Sequence, residues 1–196
     1  PAGAAVARCI PEVDDVIVFA APWVKNDALD TRMATARALA AVTAGGFDAA
    51  VIFTVYSQSA LPAATFLALA GLPLTLAYAR ENPYRLLTDW VRESEPEGGV
   101  RHEVRRQLDL VETVGWTTDC DRLSFRYRAA DEQAASATLA ALGVPIERPY
   151  VLVHPGATAA SRRYPAEWFG LAARSIRAAT GHPIVVTGTA AESTLT

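Results

Sequence analysis

The sequence is poor in cysteine, lysine and histidine. Its two cysteines, Cys9 and Cys120, have neither the spacing of a metal site nor that of a disulfide framework, so we expect two reduced thiols. Lys25 is the only lysine among 18 basic residues, so a single arginine is informative only where its local setting demands a guanidinium. A net charge of −3 provides no basic field, which disfavours nonspecific nucleic-acid binding.

The sequence also lacks any long apolar run. No run reaches the roughly 18 residues of a membrane span, so we expect a soluble or peripheral protein. The expected reduced thiols indicate a cytoplasmic location, and association with the inner face of a membrane is left open. Hydrophobic residues make up 51% of the 196 residues, which is enough for one large domain or two small ones. The chain opens without a starting methionine and stops just after a predicted strand and turn. We therefore expect a segment of a longer protein.

Apolar periodicity predicts alternating helices and strands in the first half of the chain. Helices are predicted at 2–9, from about Leu29 to Gly45-Gly46, and at Leu61–Ala70, Pro83–Val91 and His102–Val114; strands are predicted at Val16–Phe19, Ala49–Val55 and Leu74–Tyr78. The Ala49–Val55 run is apolar on both faces, which is typical of a buried parallel strand.

The alternation is lost between Gly115 and Ala130, where charges cluster and only a short strand is predicted at Leu123–Tyr127. It resumes with a helix at 131–142, strands at Tyr150–Val153 and Ile184–Thr187, and a helix at 165–180 between those strands. We therefore predict two α/β domains, residues 1–120 and 121–196, each with a mostly parallel sheet flanked by helices.

The loop at 154–164 is the strongest candidate for a ligand site. It follows a predicted strand and precedes a helix that starts at Pro165, and such loops in parallel sheets bind anions. Its glycine permits close backbone approach, and its hydroxyl and arginine side chains can donate to a diphosphate. The candidates are Gly156, Ala157, Thr158, Ser161, Arg162 and Arg163. By spacing alone, an ordinary loop with two solvated arginines is an equal alternative, and the loop is neither a P-loop nor a dinucleotide fingerprint.

Other candidate residues carry less information. His154, at the end of a strand, either contacts a phosphate or holds the loop by a backbone hydrogen bond, and the second role is favoured because no carboxylate lies nearby in sequence. His102 is interpreted as solvated surface. Acidic residues near the first loops are interpreted as helix caps and loop residues, so no metal site is predicted; they are Asp14, Asp15, Asp27 and Asp30.

Longer runs of sequence resemble one enzyme family. The run VLVHPGATAASRRYPAEWFGLA at 151–172, followed by PIVVTGTAAE at 183–192, is similar to the nucleotide-sugar loop of glycosyltransferase family 9, the ADP-heptose:lipopolysaccharide heptosyltransferases, in which an HPGA…KRWP…W pattern is typical. The runs IPEVDDVI at 10–17, FDAAVIF at 47–53 and AGLP at 70–73 agree with the same family. The resemblance thus spans nearly the whole chain.

The resemblance implies a GT-B architecture, with two Rossmann-like domains facing a cleft and both incomplete in this chain. It implies transfer, with inversion, of a heptose or hexose from a nucleoside-diphosphate sugar to a hydroxyl of a glycan or lipopolysaccharide-type acceptor, without a metal or cofactor. The family's phosphate-binding lysine corresponds to Arg162 and its neighbouring arginine to Arg163, while Tyr164 replaces the tryptophan. The resemblance also implies that Glu192, beyond the turn at Gly188, corresponds approximately in position to an acidic residue that contacts the nucleoside in the family.

The acceptor side and the catalytic base are less well specified. Ser57-Gln58-Ser59 follows the most buried strand of the first domain and is either a set of acceptor-side residues or a polar turn; Tyr56, Arg80 and Asn82 are placed similarly. The family's Gly-Asp turn, which carries its proposed base, and its last donor contacts have no counterpart here, so we assign no catalytic residue and expect the segment alone to be inactive. The alternatives are a non-catalytic nucleotide- or anion-binding module, and another GT-B enzyme such as a nucleotide-sugar epimerase.

Overall fold

A computed structural model describes residues 3–24, 30–157 and 159–193 of the chain. The chain forms two compact units, Pro1–Arg126 and Tyr127–Thr196. Leu29, Asp27 and Thr158 of the sequence-based interpretation lie outside the described residues. The architecture is mixed α/β with parallel sheets, as predicted, whereas the division at residue 120 and two domains of GT-B type stay predictions.

The first unit is built on a three-stranded parallel sheet in the order β1-β2-β3. The strands are β1 (Ala49–Ile52), β2 (Leu74–Ala79) and β3 (Asp89–Arg92), and in their register Ala49 faces Leu74 and Leu76 faces Asp89. Five of the six residues of β2 are buried, as expected for a central strand. All three carboxyl ends therefore lie at one edge of the sheet, where polar segments follow.

Two of the four helices that the structure describes in the first unit, the third and the fourth along the chain, pack on opposite faces of this sheet. The helices are α1 (Gly3–Ala7), α2 (Thr31–Gly45), α3 (Leu61–Leu69) and α4 (Glu103–Glu112). Asp30 caps α2, as predicted, by accepting a 3.0 Å hydrogen bond from the backbone N–H of Met33. Alternate residues of β2 point to opposite faces. Ala77 and Ala79 belong to one core cluster, with Ala60 and Ala64 near α3, and Leu76 and Tyr78 to the other, with Leu110 of α4.

The second unit contains a two-stranded parallel sheet. Its strands are β4 (Val151–Val153) and β5 (Ile184–Val186), which pair in register from Val151 with Ile184. Its helices are α5 (Ala129–Ala141) and α6 (Ala166–Thr180), with 3₁₀ turns at Ala160–Arg162 and Ala190–Glu192. Within the parts of the chain that the structure describes, no helix is both long enough and apolar enough to cross a membrane.

Some predicted elements are wrong. Residues 83–91 form a turn and then β3 instead of a helix, because reciprocal hydrogen bonds between Thr75 and Thr88 tie this segment to β2, and pairing with a neighbouring strand overrides helical spacing. The predicted strands at Val16–Phe19 and Leu123–Tyr127 are irregular, since neither has a ladder partner among the described residues. The prediction of burial on both faces is also wrong for β1, an edge strand whose Val51 is 39% exposed.

A buried ion network joins α4 to the carboxyl ends of the three strands. Arg106, which is 1% exposed, binds the Glu93 carboxylate beyond β3 and the backbone carbonyl of Thr54 beyond β1. Its guanidinium also lies 4.7 Å from the ring centroid of Tyr78 at the end of β2. Glu95, 1% exposed, accepts from Arg101 Nε at 2.9 Å. The network thus holds together the ends of all three strands.

We predict that Arg106→Met destabilises the first unit strongly, because it leaves Glu93 buried without its main cationic partner. Breaking a buried pair in this way costs about 3–5 kcal/mol. We expect a decrease of this size in the free energy of unfolding, and urea unfolding measures it. The double variant Arg106→Met/Glu93→Leu should recover part of the loss, since no charge is then left uncompensated. Arg105→Met is the matched control, because the Arg105–Asp121 ion pair is exposed on both sides and should contribute within about 0.5 kcal/mol. Equal effects of the two single variants would contradict the prediction.

We also predict that trypsin first cleaves the chain after Arg122, Arg126 or Arg128. Every residue from Glu112 to Ala135 is exposed, and residues 116–128 form neither helix nor strand, so a protease can bind this backbone as an extended segment. Mass spectrometry of the earliest fragments checks the expectation. First cuts at Arg106 or Arg177, which lie in helices, would contradict it.

Candidate functional site

The predicted donor loop lies at the carboxyl edge of the second unit's sheet. It connects β4 to α6, and the segment after β5 ends beside it because the two strands are parallel neighbours. His154 Nδ1 lies 3.2 Å from Thr187 Oγ1, and the backbone N–H of Thr187 donates to the carbonyl of Val153 at 2.9 Å. His154 therefore joins the two strand ends through a side-chain contact rather than the predicted backbone hydrogen bond.

Gly156 and Glu192 are in close contact across this edge. A Cβ atom at position 156 would collide with the Glu192 carboxylate, so only glycine fits without a shift of that side chain. The carboxylate accepts 2.8 Å hydrogen bonds from the backbone N–H and the hydroxyl of Thr189. These two bonds, the backbone one first, lower the pKa of Glu192, with smaller contributions from His154 and Arg163. The edge therefore carries an oriented, ionised carboxylate.

The two arginines of the loop have different surroundings. Arg163 Nε donates to the backbone carbonyl of Ala157 at 2.7 Å and so closes the loop on itself. Arg162 ends the 3₁₀ turn with its side chain exposed, and within the described residues its guanidinium has no hydrogen bond or ion pair. Arg162 is thus available to an anion, whereas Arg163 first holds the loop.

The remaining predicted donor residues are arranged around this contact. Ser161 is exposed beside Arg162, and Gly188 lies between β5 and the last 3₁₀ turn. Tyr164 packs against Phe169 of α6, with their ring centroids 5.3 Å apart, and so anchors the loop where the helix begins. The structure thus brings Gly156 against Glu192 and Ala157 against Arg163, beside the contact of His154 with Thr187. Ser161, Arg162 and Gly188 lie in the same two segments.

A polar cavity of about 140 Å³ lies at the carboxyl edge of the first unit's sheet. Its lining includes the predicted acceptor-side residues Ser57, Gln58 and Ser59, together with Thr54, Tyr56, Arg80, Glu81 and Glu93. The hydroxyl of Ser59 donates to the Glu81 carboxylate, and this bond is the main cause that lowers the pKa of Glu81. The cavity therefore offers hydroxyl, carboxylate and guanidinium groups in a small volume.

Glu93 is the most buried carboxylate of this cavity, but its charge is already neutralised. Burial acts to raise the pKa of Glu93, and hydrogen bonds from Arg106 and from the backbone N–H of Glu95 outweigh it, so the pKa lies below its usual value. A general base works best when its pKa is near the operating pH and its lone pairs face the substrate. Glu93 is therefore a poor base, and we assign none among the described residues.

Sequence reasoning missed four residues at or near this edge, namely Arg106, Glu81, Glu93 and Tyr84. Arg106 looked like part of a charged helix surface, and Glu81 and Glu93 lie in no motif. Tyr84 has φ 51° and is 84% exposed, and its backbone N–H donates to Asn82 Oδ1 at 2.8 Å. Pro83 and Leu87 on either side are buried. The Asn-Pro dipeptide was the available signal, since asparagine side chains support such turns.

Comparisons with known proteins agree on one family. The model of glycosyltransferase family 9 (heptosyltransferase) matches residues 36–195. The solved structure of a family 9 glycosyl transferase from Veillonella parvula DSM 2008 superposes with a TM-score of 0.64 at 15% identity, covering 83% of this chain and 46% of that one. The structure of ADP-heptose LPS heptosyltransferase II from E. coli superposes with a TM-score of 0.58 at 19% identity, covering 82% and 48%. No curated protein sequence matches the chain.

This chain spans about half the length of those two solved relatives, and their identity to it is low enough that they show the fold alone. The family match covers most of the chain and includes the loop from His154 to Arg163 and the turn to Glu192. The chain belongs to glycosyltransferase family 9 (heptosyltransferase).

Proposed function

We propose that the protein transfers a heptose or hexose, with inversion, from a nucleoside-diphosphate sugar to a hydroxyl of a glycan or lipopolysaccharide-type acceptor. One observation carries the proposal: at the carboxyl edge of the β4-β5 sheet, the backbone of Gly156 lies against an oriented carboxylate, that of Glu192, and the same loop carries the exposed Arg162. The family match supports it. A cytoplasmic location and peripheral membrane association stay predictions.

The charges of the donor loop give the nucleotide one orientation. A diphosphate is attracted to Arg162 and Arg163 and is repelled by the ionised Glu192, whereas ribose hydroxyls donate well to a carboxylate. The phosphates therefore bind on the arginine side, near the start of α6, and the nucleoside binds on the Glu192 side. As the glycosidic bond breaks, negative charge grows on the leaving diphosphate, and donors already aimed at it lower the barrier.

The acceptor is proposed to bind in the first unit, at the cavity formed by Ser57, Gln58 and Ser59. Sugar hydroxyls both donate and accept, and the cavity offers both kinds of partner in Glu81 and in the serine and glutamine side chains. The competing proposal is a non-catalytic nucleotide-binding module. It is favoured by the absence of a suitable base among the described residues, and it differs from the transferase in the turnover of a labelled nucleotide sugar.

We predict that Arg162→Ala weakens nucleoside-diphosphate binding about tenfold or more and leaves the melting temperature unchanged. A charge-assisted hydrogen bond contributes about 1.5–3 kcal/mol, and an exposed arginine packs little. Arg163→Ala should weaken binding and also lower the melting temperature, because it releases the Ala157 carbonyl. The double variant should lose roughly 2–4 kcal/mol of binding. Calorimetric titration with ADP, UDP and GDP, together with thermal melts, measures these effects.

Arg174→Ala, on the exposed surface of α6, is the matched control and should bind the nucleotide as the wild type does. Unchanged affinity of the Arg162→Ala/Arg163→Ala variant for the best-bound nucleotide would remove the phosphate role of the loop. It would also remove the main residue-level support for transferase activity.

We predict that Gly156→Ala lowers nucleotide affinity at least about tenfold, because the new methyl group displaces the Glu192 carboxylate from Thr189. Gly170→Ala is the control. A Cβ there meets only Arg174 Nη1 at 3.7 Å, so helix propensity should stabilise that variant by up to about 1 kcal/mol with no change in binding. The double variant Gly156→Ala/Glu192→Ala should have the same melting temperature as Glu192→Ala alone, because the carboxylate with which the new methyl group collides is then absent. Wild-type affinity of Gly156→Ala would show that nothing binds against this backbone.

A further inference from the structure

The segment from Thr54 to Ser59 forms one wall of the polar cavity and is held at both ends. At its far end, Ser59 donates to Glu81 and accepts a 3.2 Å hydrogen bond from the backbone N–H of Leu61. At its near end, the carbonyl of Thr54 lies two residues beyond β1 and outside the strand ladder. A backbone carbonyl in this position needs a partner, because an unpaired buried acceptor is costly.

Two side chains of α4 supply that partner. Arg106 Nη1 and Gln107 Nε2 both donate to the Thr54 carbonyl, the second at 2.9 Å. They reach it across more than fifty residues of chain. Between the two anchors, Val55–Gln58 forms a turn closed by a 2.9 Å hydrogen bond from the backbone N–H of Gln58 to the carbonyl of Val55. This turn presents Tyr56, Ser57 and Gln58 to the cavity.

The state of Gln107 indicates that its amide serves as a donor. Its Nε2 faces two acceptors, the Thr54 carbonyl and the Glu103 carboxylate, so the orientation of the amide is determined. Its Oε1 is buried and has no hydrogen-bond partner among the described residues. An unpaired buried oxygen is unfavourable for folding, and an apolar residue would avoid that cost. The two bonds donated by Nε2 offset that cost, and one of them holds the wall of the cavity.

We infer that Arg106 and Gln107 are positioning residues that fix the 54–59 segment through the Thr54 carbonyl and thereby set the shape of the acceptor cavity. The link to acceptors rests on the proposed function. The fixing of the segment rests only on the contacts described above. Neither residue is assigned contact with substrate.

Gln107→Leu tests the inference because it removes the donor, keeps the volume close and removes the unpaired oxygen. We expect amide hydrogen exchange of residues 55–59 to rise about fivefold or more, as loss of one hydrogen bond implies, while exchange within β2 stays unchanged. Gln107→Lys keeps a donor and should restore slow exchange. Arg105→Gln, one residue along α4, is the control and should exchange as the wild type does.

The functional arm uses methyl α-D-mannopyranoside as the acceptor probe and a labelled nucleotide sugar as the donor, with the protein that contains this chain. Gln107→Leu should raise the KM for the probe about fivefold and leave the KM for the donor unchanged. A purely structural role predicts faster amide exchange throughout the sheet and an equal rise in the KM values for the probe and for the donor. That result would overturn the inference. So would unchanged exchange at 55–59. If the wild type transfers no sugar to any acceptor, the proposed function fails, and the exchange data still decide whether Gln107 fixes the segment.

Discussion

The buried contact between Arg106 and Glu93 is the constraint on which the first unit depends. Two charges removed from water are favourable only when their remaining hydrogen-bonding groups are also satisfied. Arg106 meets this condition by binding the Thr54 carbonyl and lying on the ring of Tyr78, and Glu93 by accepting from the backbone of Glu95. Each partner follows or ends a different strand. The pair and its hydrogen-bond partners therefore fix the three strand ends relative to one another. Because Thr54, Tyr78 and Glu93 also line the cavity at that edge, the same contacts determine the shape of the cavity.

In the second unit, weaker contacts hold the segments that follow the strands. Its candidate site is held by one or two hydrogen bonds at each contact between exposed groups, His154 with Thr187, Arg163 with Ala157 and Thr189 with Glu192. Such bonds contribute about 1 kcal/mol each and exchange readily with water. The second unit's loop is therefore held less firmly than the first unit's cavity, which cannot change shape without breaking a buried ion pair.

The predictable and unpredictable parts of the fold differ in the range of the interactions that determine them. β2 and α2 were predicted because apolar spacing, Asp30 and Gly46 act within a few residues. Residues 83–91 were misassigned because a helical spacing of apolar residues competes with pairing to a strand that is invisible in the local sequence. Arg106 was missed for the same reason, since it lies in a run of charged residues and its partners are 13 and 52 residues away. At the donor loop, the residue types indicated anion binding. Only the three-dimensional structure distinguishes Arg163, which closes the loop, from Arg162, whose side chain is exposed.

The different roles of Arg162 and Arg163 help to explain how a family 9 chain can have an arginine at 162, where the resemblance places a lysine. An ammonium acts as a point charge and can follow a phosphate, whereas a guanidinium binds two oxygens in a fixed plane and loses strength when misaligned. Fixed geometry is useful only if the backbone beneath it is held, and the bond from Arg163 to the Ala157 carbonyl holds the loop that carries Arg162. Glu192 limits the alternatives further, because its carboxylate lies against Gly156 and disfavours phosphate on that side. The closed loop and this carboxylate thus supply the fixed surroundings in which the proposed diphosphate binding by a guanidinium at 162 is favoured.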